Sequence, residues 1–155
     1  MLKGWMTVIR EWQAGDREIL IQMMGEFYLS PAVLHPVPNE YFVRTADAIE
    51  EKSPYIAAFI AEHQEKPAGY GLVSLTYSNE VGGLVVWLEE LYIREQARGF
   101  GLGTEMIAFI ENRYAGRVAR FRLEVEERNQ GAIRLYERLG YVSLPYSQMT
   151  KDINR

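Results

Sequence analysis

The sequence predicts an α+β domain: a central mixed sheet of six or seven strands with about four helices over both faces. Three observations carry this expectation. Apolar residues switch repeatedly between helical and strand spacing, three strand-like runs follow one another in the middle of the chain with hairpin-length turns between them, and the second half alternates helix and strand as parallel crossovers require. The 155 residues suit one domain spanning 1–155, with no repeat, linker or biased segment to divide it.

In chain order, Met6 to Trp12 sets Val8 and Ile9 among polar neighbours and reads as a first strand, closed by the turn Gln13-Ala14-Gly15-Asp16. Asp16 is placed to cap a helix in which Ile19, Leu20, Met23, Met24, Phe27 and Tyr28 form one apolar stripe. Three prolines between Ser30 and Glu40 end that pattern. Asn39 is placed to cap a weaker helix over Glu40–Glu51, with Phe42, Ala46 and Ile49 on one side. Three strands of an antiparallel meander then run to Ile93, separated by "QEKP" and "SNEVGG". Leu102, Met106, Phe109, Ile110 and Tyr114 mark an amphipathic helix, and "RFRLEVE" alternates as a strand. Ala132, Leu135, Tyr136 and Leu139 form a short helix closed by Gly140, and "YVSLPYSQMTKDI" is expected to supply one or two final strands.

Bulk chemistry narrows the function. The net charge of −4 disfavours nonspecific nucleic-acid binding, which requires a basic surface to neutralise phosphates, and suits a cationic or neutral substrate better. With no cysteine, disulfides, thiol nucleophiles and thiolate metal sites are excluded together. His35 and His63, the only histidines, have no neighbours that suggest a triad or a metal cluster, so no metal is expected. Trp5, Trp12 and Trp87 lack basic interleaving and read as core or pocket wall. The opening "MLKGWMTVIREW" is too short in apolar residues for a signal peptide, and no run nears the roughly 18 of a membrane span. A soluble, cytoplasmic protein without a membrane role is the expectation.

The chemistry concentrates in Glu89–Glu105, "EELYIREQARGFGLGTE". Each glycine in a helix costs about 1 kcal/mol relative to alanine, so Gly99, Gly101 and Gly103 at a strand-to-helix turn suggest that bare backbone is needed there. Unpaired N–H groups at the positive end of a helix dipole make an anion site, with phosphate or pyrophosphate the usual guest. The Walker A pattern fails because no lysine follows, and the dinucleotide fingerprint fails because Thr104 or Met106 stands where its last glycine belongs.

What fits is Arg98-x-x-Gly101-x-Gly103 after a strand ending "LYI". It resembles the pyrophosphate-binding signature of the GNAT superfamily of N-acetyltransferases. Downstream, "RNQGAIRLYERLGYV" looks like the second signature of that family, an Asn before a helix that holds a Leu-Tyr pair and ends in Leu-Gly-Tyr. The two span residues 85–142; residues 1–80 fit the topology without a diagnostic motif. The resemblance implies a twisted mixed GNAT-like sheet and acetyl-CoA as cosubstrate. It also implies that Leu91, Tyr92 and Ile93 meet the pantetheine arm, and that Arg98, Gly99, Phe100, Gly101, Leu102, Gly103 and Thr104 surround the pyrophosphate. Asn129 caps the last helix and, by resemblance, also meets the arm.

Acetyl transfer from a thioester to an amine needs an acceptor for the ammonium proton, a donor to the developing oxyanion and a proton for the departing thiolate. Glu89 and Glu90 stand in an otherwise apolar strand, where a carboxylate is costly unless it has a partner or a task. By strict alternation Glu89 shares a face with Leu91 and Ile93, and Glu90 with Leu88 and Tyr92; a bulge would exchange them. The resemblance makes Glu89 the general base with Glu90 as runner-up, the alternative being surface carboxylates paired to Arg94 or another cation. It makes Tyr136 the general acid, although the spacing of Tyr136 alone also fits a core aromatic.

In this fold the acceptor usually lies against the first two helices and the loop before the fourth strand. Here those segments hold Tyr28, Glu40, Tyr41, Phe42 and Glu80, aromatics and carboxylates that suit a cationic amine. "WLEELYIREQARGFGLGTE" also looks like the subgroup that acetylates polyamines and related diamines. The expected activity is therefore N-acetylation of a primary amine on a small, cationic molecule or peptide, through a ternary complex. Alternatives are a protein N-terminal or lysine acetyltransferase, a non-catalytic acyl-CoA binder and a nucleotide-binding regulatory domain. Family members are often dimers, which leaves a homodimer open.

Overall fold

A computed structural model describes residues 6–153; Trp5 lies outside them. Five strands form one sheet in spatial order: β1 (Thr7–Glu11), β2 (Ile56–His63), β3 (Lys66–Ser78), β4 (Gly83–Ile93) and β5 (Arg120–Leu123). The first four pair antiparallel, β2–β3 and β3–β4 through two short turns and β1–β2 across α1 and α2, and β5 joins β4 in parallel after a helical crossover. The helices are α1 (Arg17–Tyr28), α2 (Asn39–Glu50), α3 (Leu102–Tyr114) and α4 (Gln130–Arg138).

Strand alternation gives the sheet two apolar faces. On one, Leu20, Met23, Met24 and Phe27 of α1 with Phe42 and Ile49 of α2 pack on Ile60, Tyr70 and Leu72. On the other, Leu102, Met106, Ile107 and Ile110 of α3 pack on Phe59, Val73, Val86 and Leu88, joined by Leu135 and Tyr136 of α4. Each such side chain contributes about 1.5–3 kcal/mol through burial. The pattern predicted from sequence therefore covers both faces. No helix among the described residues is long and apolar enough to cross a membrane.

Two caps form differently from expectation. Asp16, 7% exposed, stands at the cap position of α1 but gives that helix no side-chain hydrogen bond. Its carboxylate instead accepts two hydrogen bonds from Arg10, at 2.7 and 2.8 Å, and one from the Gln13 N–H at 2.8 Å, because the cation of β1 is the stronger partner. Asn39 is the first helical residue of α2, whose cap is Pro38, without a side-chain hydrogen bond.

The strand count also needs correction. Residues 141–153 form no strand, so the sheet has five strands and β5 keeps an open outer edge. Val142, Tyr146, Met149 and Ile153 are 83%, 60%, 96% and 74% exposed. These apolar side chains meet no surface on which to be buried, and Pro145 lacks the N–H that a ladder uses.

Candidate active site

The glycine loop forms where β4 ends. After Ile93 a short 3₁₀ turn, Glu95–Ala97, leads to Arg98 and then to α3. Gly99 and Gly101 have φ of +85° and +79°, the left-handed region that strains any side chain. A Cβ at either would meet nothing within 4 Å, so conformation selects glycine there and the loop shows bare backbone outward. The first-turn N–H groups of Leu102, Gly103 and Thr104 have no earlier helical carbonyl to bond. Only at Glu105 does the ladder begin, with its N–H 2.9 Å from the Gly101 carbonyl. These residues fit an anionic diphosphate.

Side-chain contacts hold the loop. The Arg98 Nε–H donates to the Ile93 carbonyl at 2.9 Å, folding the loop back on the strand end. Phe100 lies against His63 of β2, ring centroids 4.4 Å apart. The histidine's part in this was not readable from its sequence neighbours.

An opening runs from that loop along β4. Strands β4 and β5 pair from Val85 to Leu88, so among the described residues Glu89–Ile93 have no strand partner on the β5 side. Leu91 and Ile93 pack toward α3, whereas Tyr92 points to α1 and donates to Glu26 at 3.1 Å. Across the opening, Asn129 caps α4 as predicted, its Oδ1 accepting from the Ala132 N–H at 3.2 Å.

The two carboxylates are arranged by a bulge. Leu72 of β3 pairs with Glu90 and Val73 with Leu88, which leaves Glu89 as the extra residue of β4. Leu88 and Leu91 consequently face α3 while Glu90 and Tyr92 face α1, an arrangement that strict alternation forbids. Glu89 does not share the face of Leu91 and Ile93; it is exposed and accepts a hydrogen bond from Ser74 Oγ at 2.5 Å. By alternation Ser74 follows Tyr70 and Leu72 on the α1 side, so both carboxylates meet that face.

Glu90 is 9% exposed and accepts a hydrogen bond from the Tyr70 phenol at 3.1 Å. Burial pushes its carboxyl from an ordinary 4.5 up to about 7, opposed by the Tyr70 and Tyr28 phenols and assisted by the Glu89 charge. Burial raises the Tyr28 phenol to about 12, with the charge of Glu90 adding to it. Neither carboxylate pairs with Arg94. That guanidinium binds Glu26 of α1 through two hydrogen bonds, at 2.8 and 3.0 Å, tying α1 to the end of β4. Tyr70, Ser74 and Glu26 escaped the sequence reading because each reads as an ordinary strand or helix residue; the bulge alone brings the first two to the carboxylates.

Tyr136 lies on the opposite, α3 face of the sheet from Glu90. It walls a cavity of about 830 Å³ between β5, α4 and the chain beyond, with Leu123, Val125, Ile133 and Tyr141. Burial raises its phenol above the ordinary 10, so it stays protonated. Of the other acceptor-side residues, Tyr28 reaches the carboxylates and Phe42 is core. Glu40 and Glu80 are instead paired with Arg44 and Arg120, and Tyr41 is 48% exposed. Among the described residues no group of acidic, His or Cys side chains could hold a metal ion.

Residues 18–141 match the profile of the Acetyltransferase (GNAT) family. Over 151 residues the chain is 30% identical to a thialysine N-ε-acetyltransferase of Mus musculus, covering 92% of this chain and 88% of that protein. The Sus scrofa protein of the same name is 28% identical over 143 residues, covering 86% and 83%. An aminoglycoside N-acetyltransferase solved in complex with CoA has a TM-score of 0.80 at 16% identity, over 98% of both chains. A salt-marsh metagenome integron cassette protein has a TM-score of 0.79 at 23% identity, over 95% of this chain and 91% of that one. At these identities the two structural likenesses speak for the fold alone.

Proposed function

The chain belongs to the GNAT family of acetyltransferases and is an acetyl-transferring enzyme, and from that premise we propose that it moves the acetyl group of acetyl-CoA to a primary amine of a small, cationic molecule by direct attack in a ternary complex. The observation that carries this reading is the unpaired side of β4 from Glu89 to Ile93, which leads into the bare loop at Gly99–Gly103. An extended chain of amides can pair with such an edge as an added strand, while the loop N–H groups take its diphosphate.

In this reading Gly99, Phe100, Gly101, Leu102, Gly103 and Thr104 hold the diphosphate, and Arg98 fixes their loop. The backbone of Leu91, Tyr92 and Ile93, with Asn129 opposite, holds the arm. Acetyl-CoA supplies the activated acyl group there. The acceptor enters from the α1 face, where Tyr28 and the two carboxylates meet it. An alkylammonium, with a pKa of about 10, must lose its proton before attack, and a carboxylate of this pair takes it. From the other face Tyr136, kept protonated by burial, gives its proton to the leaving sulfur.

The relatives named for thialysine N-ε-acetylation support a lysine-like side-chain amine as acceptor. Thermal unfolding with acetyl-CoA, CoA, ATP and NAD in parallel tests the first step, since a ligand at 100 times its Kd adds about 2.7 kcal/mol. A rise with the CoA species alone, followed by thiol release with thialysine, lysine or a diamine, is the expected result. A rise with ATP or NAD alone would overturn the reading.

A further inference from the structure

We propose that Tyr70 is a positioning residue that holds Glu90 as the proton acceptor of the reaction, so that Glu90 and not Glu89 takes the proton of the acceptor amine. The inference rests on the acetyltransferase reading above and deepens it at one step. Its basis is the asymmetry that the bulge creates between adjacent carboxylates. Glu89 lies exposed beside Ser74, where water screens its charge. Glu90 is buried against a phenol that is itself 0% exposed, fixed inside the sheet by the α1 core.

The groups facing Glu90 can be named element by element. From β3 comes Tyr70, and from α1 comes Tyr28; β4 itself adds Glu89 and, beyond it, Tyr92. Next to Tyr92 lies the Glu26–Arg94 pair, neutral in sum. The core residues of α2, Phe42 and Ile49, are uncharged. No salt bridge includes Glu90 among the described residues, so two phenols take the place that a cation would hold. A cation would hold the carboxylate ionised and make it a poor base. A phenol donates one hydrogen bond without surrendering its proton, because burial and the Glu90 charge raise Tyr70 well above the ordinary 10. Burial lifts the Glu90 carboxyl and the two phenols hold that rise back, which leaves it poised near 7, where it can both accept a proton and return it to water.

Protons and bonds balance in this step. The ammonium gives one proton to the ionised Glu90. Its nitrogen then forms the N–C bond as the C–S bond breaks, and the sulfur takes the Tyr136 proton. The second nitrogen proton restores the Tyr136 phenol through solvent, and Glu90 releases its own, so one proton leaves per turnover.

The test compares wild type with Glu89→Gln, Glu90→Gln and Tyr70→Phe, using acetyl-CoA and thialysine or lysine across pH. Carboxyl titration in each free protein is followed separately by difference infrared spectroscopy. A carboxyl titrating near 7 should vanish in Glu90→Gln and persist in Glu89→Gln, and the acid limb of kcat/KM should behave the same way. Tyr70→Phe removes a donor to the ionised form, so both should move up by about one pH unit, a roughly tenfold loss of kcat/KM below the limb. Retention of the limb in Glu90→Gln, its loss in Glu89→Gln, or an unmoved titration in a folded Tyr70→Phe protein would overturn the proposal. If Tyr70→Phe does not fold, the contrast between the two glutamine variants decides. If no amine is acetylated, the transfer reading fails by itself, and the infrared titration still decides whether Tyr70 tunes Glu90.

Discussion

Burial of the Glu90 carboxyl should weaken the fold as pH rises from its unfolded to its folded pKa, and this can be measured without any substrate. In the unfolded chain its carboxyl titrates near 4.5, and in the folded protein near 7. Below 4.5 both states are protonated and the residue costs nothing. Between the two values the unfolded state ionises and the folded state does not, so stability falls as pH rises and levels off above 7. At 1.36 kcal/mol per pKa unit the full loss is about 3 kcal/mol. Replacement by glutamine keeps the shape, its carbonyl oxygen accepts from the Tyr70 phenol, and the Tyr28 phenol oxygen can accept from its NH2. Glu90→Gln should therefore raise the thermal midpoint at pH 8 by roughly 6–12 °C and by much less at pH 5. Thermal unfolding of both proteins at the two pH values is the assay. An equal increment at both, or a less stable variant at pH 8, would refute the claim that burial sets this carboxyl's pKa.

Three further outcomes are expected. Tyr136→Phe should lower turnover roughly 10- to 1000-fold with acetyl-CoA affinity nearly intact, measured by steady-state kinetics beside ligand-dependent unfolding; unchanged turnover would remove Tyr136 as the acid. Asp16→Asn should cost about 2 kcal/mol at neutral pH in chemical denaturation, because it takes from Arg10 one of its two carboxylate partners and leaves Glu62. Arg10 holds the Asp16 carboxyl below its ordinary 3.8, so that stabilisation exists above 3.8 and fades as pH falls through the lower, folded value. Gly69→Ala should be more damaging than an ordinary strand substitution, since its Cβ would stand 2.3 Å from the Tyr92 carbonyl oxygen and 2.7 Å from the Ile93 side chain. About 1–3 kcal/mol is expected, together with weaker acetyl-CoA binding as the end of β4 is pushed aside.

Much of this molecule follows from patterns only a few residues long. Helical spacing in Ile19–Tyr28 and Leu102–Tyr114, the short turns of the meander, and Gly140, which closes α4 at φ +93°, are local signals, and the chain obeys them. The anion loop was legible for the same reason, because a left-handed glycine and the first turn of a helix are set within five residues. The tail misled because apolar residues in Val142–Ile153 state what a strand could be, whereas pairing needs a surface to bury it.

The choice between the carboxylates was closed to sequence reasoning. Glu89 and Glu90 are chemically alike and adjacent, and only the extra residue in β4 against Leu72 and Val73 turns both toward α1 and buries just one. Likewise, Tyr70 lies 20 residues from Glu90 and Glu26 lies 68 from Arg94, so their meeting is a property of the folded sheet. Local periodicity and motif spacing determined the elements, the loop and the family. The tertiary structure decided which carboxyl lies out of water and which phenol holds it, because desolvation depends on everything packed around a group and not on its neighbours along the chain.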